Sequence, residues 1–261
     1  MCLLLLWRAG MSFERQKKQY EADGFLRIPA LLNASQLAET LGELDRYVDE
    51  VVPRLDSSEV VWEANPLPDG SRRIRNLWHM ERHSEYFDRL SRRPDILGLA
   101  GALVNGEPVL MAVELFAKPA RVGSAVPYHQ DNAYFNLAPP DSFTCWIALD
   151  AATEENGCVY HCRGSHRARP WPHVASGVTG NSMKADQVRG PLDEVASILA
   201  PGDAMLHHCL TLHRSEPNRS GKERRGLLMV YKGAHCGVDL AGAEAYAAVR
   251  AAAAAPSATR P

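Results

Sequence analysis

Tyr128-His129-Gln130-Asp131-Asn132 sets an imidazole and a carboxylate two positions apart. On a β-strand, positions i and i+2 share a face. His129 and Asp131 therefore project side by side and can take adjacent positions on one metal ion, while Gln130 points away. A second imidazole has to arrive from another strand, and His213, in Leu212-His213-Arg214-Ser215, is the best placed. Two histidines and one carboxylate on one face of an octahedron leave three positions open, a mixed nitrogen and oxygen set that suits iron(II). Two open positions accept a bidentate 2-oxo acid such as 2-oxoglutarate, and the third accepts O2. The far carboxylate of such a cosubstrate needs a cation. Arg224 lies eleven residues beyond His213, enough chain to turn and begin the adjacent strand. Its guanidinium can bind a carboxylate through two parallel hydrogen bonds, which Lys cannot copy. Arg225 next to it must face the other way on a strand. Ser215, two residues after His213, can add a hydrogen bond.

A histidine two residues before an aspartate arises by chance in many chains. The pair followed by a distant His-x-Ser and then by Arg224, all in a strand-rich stretch, is far more specific. The ordinary alternative is a surface pair at His129 and Asp131 with His213 in a loop. His207 and His208 are rival second imidazoles, with His208 expected to pack near the site. Cys158, His161, Cys162 and His166 raise zinc, but their spacing is not that of a finger, and a strand sends Cys158 and His161 to opposite faces. Arg163, Arg167 and Arg169 form a basic run, as do Arg72, Arg73 and Arg75. Such runs are ordinarily solvated faces; the sharper reading is a basic rim for an anionic substrate. Tyr134, Phe135 and Asn136 follow the metal loop and can touch substrate or simply pack.

The elements that must carry these residues divide the chain in two. Residues 12–52 read as helical: Asn33 caps with Gln36 as its capping-box partner, and Leu37, Leu41, Leu44, Val48 and Val51 form one apolar face. The Pro-, Asp-, Ser- and Arg-rich stretch 53–76 reads as loop, and 77–104 as a helix or helix pair. From Pro108 onward short β-like runs alternate with turn signals. They cover Val109 to Lys118, Phe143 to Asp150, Cys158 to Cys162 after the Asn156-Gly157 turn, Ala204 to His208, and Leu227 to Tyr231. In the second run Phe143, Cys145, Ile147 and Leu149 share one face, and Thr144, Trp146 and Ala148 the other. The expected class is mainly β with flanking helices, a sandwich or jelly roll.

The 261 residues are expected to form one domain, with a core over about 12–238. Residues 1–11 read as an extension ahead of a start near Met11, although Cys2 to Trp7 resembles a fragment of a signal peptide. The Ala-rich tail 239–261 reads as a short helix that frays. A hydrophobic share of 46% allows a substantial core, and a net charge of -2 argues against a nucleic-acid binder. No apolar run is long enough to span a bilayer. Six cysteines with no disulfide-like spacing indicate reduced thiols and a cytoplasmic location.

Residues from about 18 to 235 resemble the phytanoyl-CoA dioxygenase family of iron and 2-oxoglutarate oxygenases. The matching stretches are Tyr20-Glu21-Ala22-Asp23-Gly24-Phe25, the His129-Gln130-Asp131 block, Trp146-Ile147-Ala148-Leu149-Asp150, Asn156-Gly157 with Gly164-Ser165-His166, and Gly202-Asp203 leading to His213-Arg214-Ser215. The resemblance implies a double-stranded β-helix, that is, a cupin-like jelly roll. It implies metal ligands at His129, Asp131 and His213, 2-oxoglutarate contacts at Arg224 and Ser215, and Trp146 near the cosubstrate. Arg214 replaces the Gly often found after the distal His, and Arg163 the Pro before Gly-Ser-His; both departures lie where a substrate would enter. The implied reaction is hydroxylation of a small organic molecule with release of succinate and CO2. Desaturation, cyclisation or carbon–heteroatom cleavage at the same site, or a non-catalytic jelly-roll binding protein, are the alternatives. Related halogenases carry a small residue in place of the carboxylate, so Asp131 implies oxygenation.

Overall fold

The computed structural model describes residues 13–67 and 69–254. The extension 1–11, with its choice of start, and the last residues of the tail lie outside them. Helix α1 (Phe13–Asp23) leads into strand β1 (Phe25–Ile28), and α2 (Ala34–Arg46) runs on into a π turn and a 3-10 turn. Strands β2 (Val60–Trp62) and β3 (Ile74–Leu77) follow, then α3 (Glu85–Ser91) and α4 (Pro94–Leu103). Next come β4 (Pro108–Lys118), β5 (Val126–His129), the single turn α5 (Asn132–Phe135), β6 (Leu137–Ala138), β7 (Ser142–Ala148) and β8 (Val159–Cys162). The hairpin β9 (His173–Val178) and β10 (Asn181–Ala185) precedes β11 (Glu194–Ala196), β12 (Ala204–His208), β13 (His213–Ser215), β14 (Arg224–Gly233), β15 (Gly237–Val238) and α6 (Leu240–Ala254).

Two antiparallel sheets make the jelly roll. The larger runs β1-β12-β7-β14-β4-β3-β2 and the smaller β11-β8-β13-β5. The alternation along β7 decides what each face does. Phe143, Cys145, Ile147 and Leu149 join Leu44, Phe87 and Ile96 in one core between the large sheet and the helices. Trp146 and Ala148 turn inward and pack with Met205, Leu228 and Cys158 between the two sheets. Five described cysteines, Cys145, Cys158, Cys162, Cys209 and Cys236, are unpaired and buried. Among the described residues no helix is long and apolar enough to cross a membrane.

The capping box at Asn33 and Gln36 forms in both directions, at 3.0 and 2.9 Å. The helical stretch expected over 12–52 is interrupted, however, by β1. Gly24 takes φ +84, and a side chain there would meet His166 Nδ1 at 2.4 Å, so the chain must turn at a glycine. It then adds a four-residue edge strand to β12. The stretch expected as loop over 53–76 likewise gives β2 and β3, which extend the large sheet beyond β4. Both strands are too short to show a period. The tail forms α6, which packs on α5, β9 and β10.

Candidate active site

The register of the small sheet builds the centre. β13 pairs with β5 so that His213 stands opposite His129, and with β8 so that His213 also stands opposite His161. The His129 and His213 rings lie 4.1 Å apart between centroids. Each Nδ1 meets a backbone carbonyl two residues back, Pro127 O at 2.9 Å and Thr211 O at 2.9 Å. A carbonyl can only accept, so Nδ1 carries the hydrogen and Nε2 keeps its lone pair, as a metal-binding imidazole requires. Asp131 Oδ1 lies 3.7 Å from His129 Nε2 and 3.5 Å from His213 Nε2. The three donors fall within 4.8 Å of one another and are the one such cluster among the described residues. Gln130 points the other way, as the strand dictates, and bonds Leu210 O and Trp171 N.

The large sheet fixes the carboxylate. Asp131 Oδ2 accepts hydrogen bonds from Thr144 Oγ1 at 2.7 Å and from His207 Nε2 at 3.0 Å. Thr144 and His207 face each other across β7 and β12. His207 is thus turned away from the cluster to hold its carboxylate, and His208 bonds the Leu210 N–H through Nδ1. Burial alone would raise the Asp131 carboxyl; the imidazoles of His213, His207 and His129 outweigh it and keep it well below the usual carboxylate range. No zinc cluster forms at Cys158, His161, Cys162 and His166. His161 Nδ1 is engaged by Ser197, and His166 Nε2 bonds Glu21 O.

A cavity of about 790 Å³ opens from this centre. Arg224, 3% exposed, lines it, and no hydrogen bond or ion pair engages its guanidinium among the described residues. It lies over Trp146, with the guanidinium carbon 5.2 Å from the ring centroid. Gly226 makes that contact possible, since a Cβ there would lie 2.2 Å from the indole. Burial pulls the Arg224 pKa down to about 10 and leaves it protonated. Ser215 shares the β13 face with His213 and borders the cavity. Arg225 faces outward and is paired with Asp150 at 2.9 Å. A buried, unpartnered guanidinium below three convergent donors fits a dicarboxylate that reaches the metal with its other end.

The two basic runs stand elsewhere. Arg163 bonds Asp23 and Asp193, Arg75 bonds Glu63, and none of the six arginines borders the cavity. Tyr134 does border it, edge-on to His129 at 5.7 Å, with its hydroxyl on Met183 O. Sequence reasoning passed over Thr144 and Glu114 as site residues, and over Tyr246 and Arg250 of α6, and weighed His161 only for zinc; all of them line the cavity.

The buried histidines make the fold acid-sensitive. Burial lowers His129, His161 and His213 below the ordinary 6.5 and pushes His208 down to about 4. The folded chain therefore binds fewer protons than the unfolded one below pH 6.5. The stability these rings contribute is present above 6.5 and is lost as the pH falls toward 4. Glu114, raised to about 8 by burial and by Asp131, works in the opposite sense as one group against four. The Tm of metal-free protein should fall steadily between pH 7 and 4.5; a flat or rising profile would refute this account of the rings.

The fold has close counterparts. The epimerase SnoN from nogalamycin biosynthesis, solved with Fe3+ and alpha-ketoglutarate, superposes with a TM-score of 0.71 at 22% identity, covering 95% of this chain and 91% of that one. The L-proline trans-4-hydroxylase of Streptomyces griseoviridis is 30% identical over 237 residues, covering 82% of this chain and 84% of its own. A probable alpha-ketoglutarate-dependent hypophosphite dioxygenase of Stutzerimonas stutzeri is 26% identical over 227 residues, covering 85% and 79%. With these likenesses beside the geometry, the chain is a 2-oxoglutarate-dependent non-haem iron dioxygenase, which uses iron, 2-oxoglutarate and O2. It belongs to the phytanoyl-CoA dioxygenase (PhyH) family, whose model matches residues 20–226.

Proposed function

We propose that this dioxygenase hydroxylates a small organic molecule in the cavity above His129, Asp131 and His213. The balance is R–H, O2 and 2-oxoglutarate giving R–OH, succinate and CO2. The observation that carries the reading is the presence of three converged donors and the unpartnered guanidinium of Arg224 on the wall of one cavity. His129 Nε2, Asp131 Oδ1 and His213 Nε2 hold the iron, which when bound supplies the activation of O2. Arg224 and Ser215 bind the far carboxylate of 2-oxoglutarate, and Trp146 walls the space beside it. Thr144 and His207 keep Asp131 turned so that one oxygen stays free for the metal. The five unpaired cysteines support a reducing compartment, the cytoplasm.

The test is succinate release from purified protein supplied with iron(II), 2-oxoglutarate and O2, with omission of each in turn. Release that persists without iron or without 2-oxoglutarate defeats the reading. His207 gives a graded check. His207→Ala removes one of two bonds to Asp131 without removing a donor, and should weaken iron binding roughly 10- to 100-fold. Iron content after dialysis against a graded chelator measures it, and undiminished retention would mean that His207 does not position the carboxylate.

A further inference from the structure

One carboxylate on the cavity wall has no task in the scheme above. Glu114 lies on the inward face of β4, in the same row of the large sheet as Leu228, Trp146 and Met205. That row is next to the one holding Thr144 and His207. Glu114 borders the cavity and forms no hydrogen bond or ion pair among the described residues. The other acids nearby are engaged. Glu81 accepts from Val113 N and approaches Arg82, Glu59 meets His83, and Glu194 is bound twice by Arg214. Of the arginines that border the cavity, Arg214 is drawn to Glu194 and Glu216, Arg82 toward Glu81 and Arg250 over Tyr246, while Arg224 lies against Trp146 and is assigned to the cosubstrate. Among the described residues no cation offsets Glu114; burial, Asp131 and Glu81 all favour its protonated form in the free protein.

Its surroundings point to the missing partner. Phe116, two residues along β4, shares its face, and Trp78 packs edge-on to Phe116 at 5.3 Å; both border the cavity. A carboxylate flanked by aromatic rings suits a cation, because the ring quadrupole and the carboxylate both attract positive charge. An anion beside Glu114 would gain nothing from the rings and would be opposed by Asp131, whose charge already holds the Glu114 carboxyl up. A neutral hydroxyl could donate a hydrogen bond to Glu114 but would gain nothing from the rings.

We propose that Glu114, flanked by Phe116 and Trp78, determines substrate specificity, and that the substrate carries a cationic nitrogen, a primary or secondary ammonium. The inference rests on the oxygenase reading of the same cavity. The ammonium seats on β4, and the carbon to be oxidised reaches toward His129, Asp131 and His213. A buried carboxyl at Glu114, pushed up to about 8 in the free protein, is drawn to its ionised form by such a guest.

The experiment uses the iron-loaded enzyme with 2-oxoglutarate and a panel of small amines and amino acids, each matched with its N-acetyl derivative and its hydroxyl analogue. Succinate formed without any panel member reports the oxygenase reading by itself, and its absence is a failure of that reading. Stimulation above that level reports the inference. Stimulation should be confined to free amines and be lost on N-acetylation. Glu114→Gln should raise KM for the stimulating amine about 30-fold, the scale of one charge-assisted hydrogen bond, and far more than it raises KM for 2-oxoglutarate. Protection of the metal-loaded protein against thermal unfolding under argon should follow the same order and does not depend on turnover. A panel in which no amine stimulates, or in which N-acetyl or hydroxyl members do as well, overturns the proposal. So does a Glu114→Gln enzyme whose KM shifts chiefly for 2-oxoglutarate.

Discussion

His213→Ala should abolish succinate formation, a loss of roughly a thousandfold or more, because the several kcal/mol of stabilisation supplied by a catalytic metal go with it. The variant removes one of three donors that lie within 4.8 Å of one another. It also leaves the Thr211 carbonyl without the Nδ1 hydrogen that fixes the ring. Asp131→Ala should be equally severe, for a further reason: Thr144 and His207 then face an empty space with their buried hydrogens unsatisfied. His208→Ala is the control, since His208 bonds the backbone at Leu210 and stands apart from the cluster. Its activity should remain while its stability changes. Iron content, measured alongside turnover, separates loss of metal from loss of fold. Full activity in His213→Ala would dissolve the proposed centre.

Arg224→Ala should raise the KM for 2-oxoglutarate roughly a hundredfold, the scale on which a buried, hydrogen-bonded charge pair is lost when one partner is truncated. Arg224→Lys should recover only part of it, because an ammonium cannot form the two parallel bonds. Arg225→Ala is the sharp contrast. Its guanidinium is paired with Asp150 on the outer side, partly exposed, so its removal should change KM by less than about twofold and cost little stability. The free enzyme gives a second readout. Arg224 is a buried cation without a partner until cosubstrate arrives, so Arg224→Met protein should melt no lower than wild type in the absence of 2-oxoglutarate. It should also lose the thermal stabilisation that added 2-oxoglutarate gives the wild type. A large KM change in Arg225→Ala with none in Arg224→Ala would move the assignment by one residue.

The convergence of His129, Asp131 and His213 was legible because strand geometry leaves few choices: His129 and Asp131 two apart, a second imidazole on another strand, and Arg224 at the start of the next. The inward and outward faces of β7 could be read from its alternation, and the choice of Arg224 over Arg225 from the distance to His213. Sequence left the roles of His207 and His208 open; the pairing of β12 with β7 sets His207 opposite Thr144 and against Asp131, which no local pattern reveals. Glu114 was invisible for a different reason. It is one acidic residue in an otherwise ordinary run from Val109 to Lys118, and its significance is the lack of a partner, which only three-dimensional packing defines. The short strands β1, β2 and β3 escaped because three or four residues carry no period, and their neighbours in the sheet lie far away in the chain.

α6 begins at Leu240, beyond the stretch 20–226 that the family model matches, yet Tyr246 and Arg250 close one side of the cavity. Tyr246 meets Tyr134 edge-on at 5.7 Å, and Tyr134 in turn meets His129. Part of the cavity wall is therefore supplied by chain beyond the stretch that the family model matches. Exchange of the last helix would reshape that wall while leaving the segments that carry His129, Asp131 and His213 in place.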